Sequence, residues 1–398
     1  MDQASPDSGG AVPRSLFLTQ DFPPRFGGSQ SYHWGLIQTL DPDEVVILAP
    51  GHADAAAFDA THPYRVIRTD RPVLLPTPGL LDLAKRIIVE HGAELLQLGH
   101  PLPNGVLGPR LARAAGLPYA VFLAGAEVTL PAALPVSGHA IRWVLRNAAL
   151  LLTVSGFTAA AAVGIVGRKV PVGVLRPAID VGSFAPVGDE SVQGKRGLGV
   201  EGGLIVCVGR LVPRKGQDRL IDALALLTPR HPGLHLALIG GGRLGPALVR
   251  RAERQGVAER VHVLGPLPAD QLSRWLSAAD LFASPCRNRW GGLEVEGFGI
   301  VFAEAALMGL PVLAGRSGGA PEAVREGETG IVVNGASARE VAAGLDRLLS
   351  LGAEGRRQMG ARGRSLALQR HTPAVVGRRY RDLLRVAAAN RPAPGRVA

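Results

Sequence analysis

Two cations in one loop are the first residues whose types and spacing suit chemistry. Arg210 and Lys215 follow an apolar run, Leu204–Val208, that predicts a buried strand, and a helix is predicted from about Gln217. In an open parallel sheet, ligands collect at the carboxyl ends of strands, where a helix N-terminus also favours anions. An arginine can bind two phosphate oxygens and a lysine can add a point charge beside it. The pattern favours a bound nucleotide diphosphate; the alternative is a solvated basic loop.

Two carboxylates form the second candidate. Glu296 is predicted on a loop, and Glu304 lies inside a helix predicted from Ile300. Gly297 and Gly299 allow backbone amides to approach a ligand closely. Carboxylates accept hydrogen bonds from hydroxyl pairs such as those of a hexose or a ribose. We therefore expect the two acids to contact different parts of one extended ligand, since the apolar flanks argue against a solvated helix face.

Three further glycine-rich turns have two interpretations each. The segment 240–245 matches G-x-G-x-x-G, which would suggest a nicotinamide or flavin site, but Pro246 follows at once and no suitably placed acid is clear. We therefore favour a strand-to-helix turn there. The segment 317–322, between a predicted strand and a predicted helix, fits an amide cradle or a tight turn equally well. The segment from Asp21 to Gln30 follows the first predicted strand, and its Gly27 and Gly28, at a predicted helix start, fit either amides presented to a phosphate or a plain turn.

Short apolar runs alternate with helix-like segments along the whole chain, which predicts parallel sheets covered by helices. In the first half the predicted strands are Ser15–Leu18, Val45–Leu48, Tyr64–Arg68, Leu95–Leu98, Ala120–Leu123 and Leu150–Val154. In the second half they are Leu204–Val208, Leu234–Ile239, Val261–Leu264, Leu281–Ala283, Val312–Ala314 and Gly330–Val332. Each half is thus predicted to be an α/β domain with its own doubly wound, Rossmann-like sheet.

The length of 398 residues also favours two domains. Glycine and proline crowd between Pro177 and Gly203, which is the composition of a linker. We expect an N-terminal domain at 1–184 and a C-terminal, nucleotide-sugar-binding domain at 185–372. An amphipathic helix at 373–390 is expected to pack back on the first domain.

Composition narrows the partners and the location. The formal charge is +11, but there is no block of five basic residues and aromatic residues make up only 5%. Nucleic acid is therefore the least favoured partner. The charge indicates either an anionic membrane surface as partner or an arginine-rich composition that serves no binding site. Two cysteines, no uninterrupted apolar run of spanning length and no signal-peptide pattern predict a cytoplasmic protein, with the inner membrane face as a candidate docking surface. The sequence implies no metal site.

Taken together, the motifs resemble glycosyltransferase family 4, which has the GT-B fold of two Rossmann-like domains facing a central cleft. The resemblance rests on Phe-Pro-Pro-x-x-Gly-Gly, Gly-Arg-Leu-x-x-x-Lys-Gly, the Glu-x7-Glu pair and Gly-Gly-x-Pro-Glu, in that order over nearly the whole chain. The segments 214–218 and 292–301 resemble GDP-mannose-dependent phosphatidylinositol-mannoside mannosyltransferases more closely.

The resemblance implies roles for these residues. Arg210 and Lys215 would bind the diphosphate and stabilise the leaving group, Glu296 would contact the transferred sugar, and Glu304 would contact the ribose. Gly28 would offer its amide to the phosphate or sugar, and residues from Gly265 to Leu267 would frame the base. The remaining donor-binding positions implied are Gly209, Gly297, Phe298, Gly299, Ile300 and Val301.

The N-terminal half departs from the family pattern at one position. Members commonly carry His-Gly-x-Glu/Asp after a strand, with the histidine near the transferred sugar, whereas Ala124 stands there in this chain. Glu127 of that motif is present, and His100 follows a neighbouring strand. His100 and Glu127 are therefore candidate acceptor-side residues, with a capped loop histidine as the alternative for His100.

The resemblance implies an enzyme, a retaining hexosyltransferase of the EC 2.4.1 type. The expected donor is GDP-mannose, without a required cofactor or divalent metal ion, and the expected acceptor is a lipid-linked or phosphorylated polyol of glycolipid biosynthesis. One alternative is a UDP-sugar-dependent enzyme acting on a soluble or natural-product acceptor. Another is a non-catalytic protein that binds nucleotide-sugars.

Overall fold

The chain folds into two compact units, and each contains one parallel sheet covered by helices. The computed structural model describes residues 10–25, 27–125, 129, 132–167, 170–185, 195, 199–200 and 202–390. One unit comprises the chain up to Ala178 and from Pro373, and the other comprises Ile179–Thr372. Two doubly wound Rossmann-like sheets confirm the predicted fold class. The expected domain limits, 1–184 and 185–372, stay a prediction.

The first unit contains a seven-stranded sheet in the order β3-β2-β1-β4-β5-β6-β7, with all neighbours parallel. Its strands are β1 Ser15–Leu18, β2 Val45–Ala49, β3 Arg65–Arg68, β4 Leu95–Leu98, β5 Tyr119–Leu123, β6 Leu150–Thr153 and β7 Val172–Val174. Its described helices before the second unit are α1 Gly28–Ile37, α2 Ala55–Asp59, α3 Pro78–His91, α4 Gly108–Ala115, α5 Pro135–Arg146 and α6 Gly156–Val166.

The second unit contains a six-stranded parallel sheet in the order β10-β9-β8-β11-β12-β13. Its strands are β8 Leu204–Val208, β9 His235–Ile239, β10 Val261–Gly265, β11 Leu281–Ser284, β12 Val312–Gly315 and β13 Gly330–Val333. Its described α-helices are α7 Gln217–Leu227, α8 Gly245–Arg254, α9 Ala269–Ala278, α10 Ile300–Leu307, α11 Ala338–Ser350 and α12 Gly352–His371.

The central strands are apolar on both faces because helices cover both faces of each sheet. All five residues of β2 and all five of β5 are buried. The same holds for all four residues of β11. Continuous apolar runs of this kind are what made the strands visible in the sequence.

The last described helix, α13 Pro373–Ala389, returns to the first unit. Its buried Tyr380 hydroxyl donates to Gln97 Oε1 over 2.5 Å, and Gln97 in turn donates to Ser15 Oγ. A Cβ on Gly173 of β7 would lie 2.5 Å from Leu383 of this helix, so the helix packs where β7 has no side chain. The apolar face of α13 therefore completes the core of the first unit.

The sequence prediction missed one strand and misjudged one helix. Strand β7 is three residues long and contains Gly173, so it has neither the length nor the side chains of the other runs. The segment after Ser317 forms only a short 3-10 turn, Ala320–Ala323, rather than the expected helix, before β13 begins. Within the described residues, no helix is both long enough and apolar enough to cross a bilayer.

Candidate active site

The candidate site of the second unit lies where the strand order of its sheet reverses. The chain runs from β8 outward to β9 and β10, then returns to β11 on the other side of β8. The loops that leave β8 and β11 therefore diverge at the carboxyl edge of the sheet. Ligands of open α/β sheets bind in the crevice that such a reversal opens.

The loop after β8 is shaped by close backbone contacts. Gly209 has φ +145°, and a Cβ on Gly240 would lie only 2.2 Å from its carbonyl oxygen. The Leu211 N–H donates to Gly241 O over 2.9 Å, which fixes this loop to the loop after β9. Gly216, with φ +76°, lets α7 begin where a Cβ would lie 2.2 Å from Pro285 O. Gly240 and Gly216 are thus required by packing between neighbouring loops, and Gly209 by its backbone conformation.

A buried ion pair joins the loops after β8 and β11. Lys215 Nζ lies 2.9 Å from Glu296 Oε2, and both side chains are 9% exposed. Arg214 Nε lies 3.7 Å from the same oxygen, and the Cys286 thiol donates to it over 3.7 Å. The sequence motifs thus bring Lys215 and Glu296 into direct contact.

Both members of the pair are held in their charged forms. Burial raises the pKa of Glu296, but the charges of Lys215 and Arg214 outweigh it, so the pKa lies below its usual value. Burial likewise lowers the pKa of Lys215, but the Glu296 carboxylate more than compensates and raises it. The crevice therefore contains a fixed, desolvated charge pair, which interacts more strongly with a charged ligand than the same groups would in water.

The main chain of Glu296 is fixed from the loop after β12. Its N–H donates to Ser317 Oγ over 3.1 Å, and its carbonyl oxygen accepts the Gly319 N–H over 2.9 Å. A Cβ on Gly318, which has φ +52°, would lie 2.0 Å from that carbonyl oxygen. One of the glycine amides considered for a ligand cradle therefore binds the protein itself and positions Glu296.

Glu304 lies on α10, in the helix that follows Glu296. Its side chain is half-buried, and its carboxyl group forms no hydrogen bond or ion pair with the residues that the structure describes, although its carbonyl oxygen accepts the Met308 N–H over 3.1 Å. Burial raises its pKa to about 7, against a smaller lowering by the charge of Lys215. Glu304 is therefore a carboxyl group poised near neutrality, able to donate or accept a hydrogen bond.

The start of α10 presents backbone donors beside these acids. Gly299 has φ +81° and precedes α10, whose first residues are Ile300 and Val301. Among the described residues, no side chain caps the N-terminus of this helix. The first N–H groups of a helix lack intrahelical partners and favour an anionic or hydroxyl ligand. Phe298, in contrast, is buried with its ring centroid 5.4 Å from that of His371. Its side chain belongs to the core, so only its backbone is suited to a ligand.

The other predicted donor residues lie along the same sheet edge. Arg210 is exposed, and its guanidinium has no hydrogen bond or ion pair to the described part of the chain, so it is available for phosphate. Gly265, at the end of β10, accepts the Gly240 N–H over 2.8 Å, while Leu267 packs partly against the core. Arg210 and Lys215 thus follow β8 and Gly265 ends β10, two strands on either side of β9 in one sheet.

Sequence reasoning missed two residues of the site, Arg214 and Cys286. Cys286 comes two residues after β11, and β11 pairs with β8, so its thiol reaches the Lys215–Glu296 pair. The available signal was the position of Cys286 in the loop that follows a predicted strand. The order of strands in the sheet decides whether this loop lies beside the loop after β8, and that order cannot be predicted from the local sequence.

Three of the predicted site residues, Gly28, His100 and Glu127, belong to the first unit. Gly28 is the first residue of α1, and a Cβ there would meet nothing within 4 Å. His100 is a buried loop histidine whose Nε2 lies 2.8 Å from Asp21 Oδ2. Glu127 lies outside the described residues. No group of three potential metal-ligating side chains occurs among the residues described.

Comparisons with known proteins identify the family of this chain. Residues 190–366 match the family described as glycosyl transferases group 1. A GDP-mannose-dependent alpha-(1-6)-phosphatidylinositol monomannoside mannosyltransferase of Mycolicibacterium smegmatis is 39% identical over 376 residues, covering 93% of this chain and 97% of the relative. The chain belongs to the group 1 glycosyltransferases.

One more relative agrees with this membership, and one solved structure agrees with the fold. A Corynebacterium glutamicum protein named as a GDP-mannose-dependent monoacylated alpha-(1-6)-phosphatidylinositol monomannoside mannosyltransferase is 35% identical, over 93% of this chain and 97% of its own length. The crystal structure of Anabaena HepE in complex with UDP superposes with a TM-score of 0.78 at 23% identity, covering 92% of this chain and 97% of that one. This group 1 glycosyltransferase therefore has the expected GT-B fold class.

The raised pKa of Glu304 predicts a pH-dependent stability. A carboxyl group whose pKa is raised by folding contributes stability below its unfolded value of 4.5, and that contribution is lost as the pH rises through about 7. Glu304→Gln should therefore gain on the order of 1 kcal/mol over the wild type at pH 8, but not at pH 4. Urea unfolding across this range measures the difference. The exposed-acid variant Glu90→Gln serves as the control, and an equal pH slope in wild type and Glu304→Gln would contradict the assignment.

Proposed function

We propose that this chain transfers a mannosyl residue from GDP-mannose, with retention of configuration, to a phosphatidylinositol-mannoside acceptor. The observation that carries the proposal is the buried Lys215–Glu296 pair at the strand reversal of the second unit. The relatives named as GDP-mannose-dependent mannosyltransferases, which align with 93% of this chain, support the choice of donor and acceptor.

In this proposal the two cations stabilise the diphosphate leaving group. When the bond between the sugar C1 and the diphosphate oxygen breaks, negative charge develops on the diphosphate. Arg210 and Lys215 compensate that charge, and preorganised cations in a desolvated site are among the strongest contributions to catalysis. These two side chains then supply the charge compensation that a divalent metal ion provides in other transferases.

The carboxylates orient the donor. Lys215, Arg214 and Cys286 all approach Oε2 of Glu296, so Oε1 is the oxygen best placed to accept a hydroxyl of the transferred sugar. Glu304, with a pKa of about 7, binds the ribose hydroxyl pair. For retention, the acceptor hydroxyl attacks C1 from the face that the diphosphate leaves, and its proton passes to the departing phosphate oxygen.

Removal of the cation should abolish transfer without unfolding the protein. Lys215→Ala removes the charge that stabilises the leaving group, and Glu296→Ala removes the sugar contact, so kcat/KM should fall about 10²- to 10³-fold or more in either variant. Transfer of radiolabelled mannose to a phosphatidylinositol-mannoside measures the loss, and circular dichroism checks the fold. Lys85→Ala, which removes an exposed lysine paired with Asp82, is the matched control.

Two results would redirect the assignment. Near-wild-type transfer by Lys215→Ala or Glu296→Ala would overturn the proposed site. Donor binding by the wild type without transfer or hydrolysis, across a broad acceptor panel, would favour the non-catalytic nucleotide-sugar-binding function, which the alanine at position 124 motivates.

The nucleotide base separates this proposal from a UDP-sugar-dependent transferase. That second candidate is favoured by the fold relative from Anabaena, whose crystal structure holds UDP. We expect GDP to raise the thermal stability more than UDP at equal concentration. A ligand at 100 times its dissociation constant adds about 2.7 kcal/mol, so titrations of both nucleotides resolve the difference. A larger rise in thermal stability with UDP than with GDP would contradict GDP-mannose as the donor and favour a UDP-sugar.

We also propose that the protein docks on an anionic membrane surface to reach its acceptor. The formal charge is +11, and the start of α5 exposes Leu134 and Val136, 56% and 86% accessible, on a helix that carries Arg142 and Arg146. Exposed apolar residues combined with basic ones are typical of helices that lie in a membrane interface.

Vesicle binding tests this surface. Binding to vesicles with about 30% phosphatidylserine should weaken several-fold between about 50 and 300 mM salt. Salt screens the attraction between the basic face and the anionic lipid, since the Debye length is only about 8 Å at physiological ionic strength. The double change Leu134→Ser with Val136→Ser should weaken binding further. Val89→Ser alters an exposed valine on α3 and is the control. Equal sedimentation with neutral and anionic vesicles would exclude the proposed surface.

A further inference from the structure

One residue in the loop after β11 has a backbone conformation that its side chain disfavours. Trp290 has φ +50°, and among the residues that the structure describes no other residue except glycine has a positive φ. In L-residues this region brings Cβ close to the following carbonyl oxygen, so a bulky side chain adopts it only under strain. Such strain persists where the surrounding structure imposes it, and it is concentrated at functional sites.

The side chain of Trp290 does not compensate for that strain by packing in the core. The residue is 57% exposed, and a Cβ on Gly291 or Gly292 would meet nothing within 4 Å, so the turn faces open space. The Arg289 guanidinium lies over the indole, 4.9 Å from the ring centroid. Because one face is covered while more than half of the residue is exposed, the opposite face and the ring edge are accessible to a ligand.

Hydrogen bonds fix the turn that carries the indole. Arg289 and Glu294 exchange both backbone hydrogen bonds, over 3.0 and 3.2 Å, and their side chains form an ion pair at 2.7 Å. The Gly292 N–H also donates to Arg289 O over 3.0 Å. The Leu293 N–H donates to Trp290 O over 3.2 Å. An aromatic side chain on a fixed turn loses little conformational entropy on binding, so the indole is preorganised.

Both ends of this loop belong to the candidate donor site. The Arg287 N–H donates to Arg214 O over 2.8 Å at one end, and Glu296 pairs with Lys215 at the other. The backbone pairing inside the loop keeps the Cα atoms of Trp290 and Glu296 at most about 17 Å apart. One extended ligand can therefore contact both residues.

The chemistry of the turn favours a sugar ring over a lipid surface. Indole has a flat apolar face and an N–H donor at its edge, which complements a pyranose with C–H groups on its face and hydroxyls at its rim. In the loop 287–296, all of which the structure describes, no other large apolar side chain is exposed. Arg289 is already neutralised by Glu294. Membrane-binding elements, in contrast, combine several apolar residues with free basic ones.

We propose that the Trp290 turn, residues 289–294, is a binding site for a hexopyranose ring, and that this ring is the mannosyl unit already present on the acceptor. The inference rests on the proposed function for the identity of the sugar. Glu296 is proposed to hold the transferred sugar, so a stacking residue farther along the same loop contacts the next ring. Trp290 then favours a mannosylated acceptor over phosphatidylinositol, which has no pyranose.

Binding of a small mannoside tests the site without any turnover. The probe is methyl α-D-mannopyranoside, titrated into the full-length protein with and without GDP and followed by saturation-transfer NMR and tryptophan fluorescence. Trp290→Asn removes the ring but tolerates the left-handed region, so the affinity should fall at least about tenfold. Trp290→Phe keeps an aromatic face and should bind within about threefold of the wild type. Leu226→Ser alters another exposed apolar residue of the second unit and is the control.

Thermal stability separates a ligand contact from a structural role. Asparagine adopts the left-handed region more readily than tryptophan, so the melting temperature of Trp290→Asn should hold or rise. A lower melting temperature together with unchanged affinity for the mannoside would assign Trp290 a structural role and overturn the site.

Transfer kinetics distinguishes this inference from the proposed function. In Trp290→Asn the KM for a phosphatidylinositol-mannoside acceptor should rise at least about tenfold, while the KM for GDP-mannose stays at the wild-type value. Wild-type protein that binds the mannoside but transfers no mannose would overturn the proposed function and leave the sugar site standing. Absence of mannoside binding in the wild type, or unchanged affinity and acceptor KM in Trp290→Asn, would overturn the site.

Vesicles that contain no glycolipid test the competing lipid contact. Trp290→Asn should bind anionic phosphatidylserine vesicles as the wild type does, because the indole is assigned to a sugar. Weaker vesicle binding by this variant, with unchanged affinity for the mannoside, would assign Trp290 to the membrane and overturn the inference.

Discussion

The second unit depends on one interaction, the buried ion pair between Lys215 and Glu296. A carboxylate and an ammonium group removed from water lose hydration that their attraction only partly returns, so such a pair is weak evidence of stabilisation in itself. It persists because surrounding groups hold it, among them the Cys286 thiol and the Ser317 hydroxyl. We interpret the pair as a charge arrangement maintained for a ligand, since its hydration is already lost before the ligand arrives.

Much of the surrounding backbone follows from that requirement. Strands β8, β9, β11 and β12 must end close together, so their loops touch at distances that admit no side chain. Glycines at 216, 240 and 318 meet this need, and each has a positive φ. A Cβ on Gly315 would lie 2.0 Å from the Cys286 carbonyl oxygen, which extends the same constraint to the last residue of β12. The glycine-rich motifs of the sequence are therefore both packing devices and the frame of the site.

The sequence predicted local structure well and spatial neighbours poorly. Twelve of the thirteen strands that the structure describes were predicted because buried parallel strands are continuous apolar runs, and Val172–Val174 was missed because it is short and contains glycine. Lys215 and Glu296 were both identified as candidates, but their direct contact depends on β11 pairing with β8, which no local pattern encodes. Asp21 was read only as part of a turn, because its partner His100 is 79 residues away on another loop.

The two strand reversals share a topology but differ in charge, and that difference is chemically sensible. In the second unit, Lys215 and Arg214 surround one carboxylate and Arg210 stays exposed, so cations exceed acids where a diphosphate is proposed to bind. In the first unit, the Asp21 carboxylate contacts the His100 imidazole and the Gln30 amide, the charge of Arg25 also acts on it, and His33 behind them is held uncharged by burial. An excess of fixed cations favours an anionic ligand, whereas balanced polar groups favour a neutral, hydroxyl-rich one. The two reversals thus share a topology but differ in charge, and the cationic one is the proposed donor site.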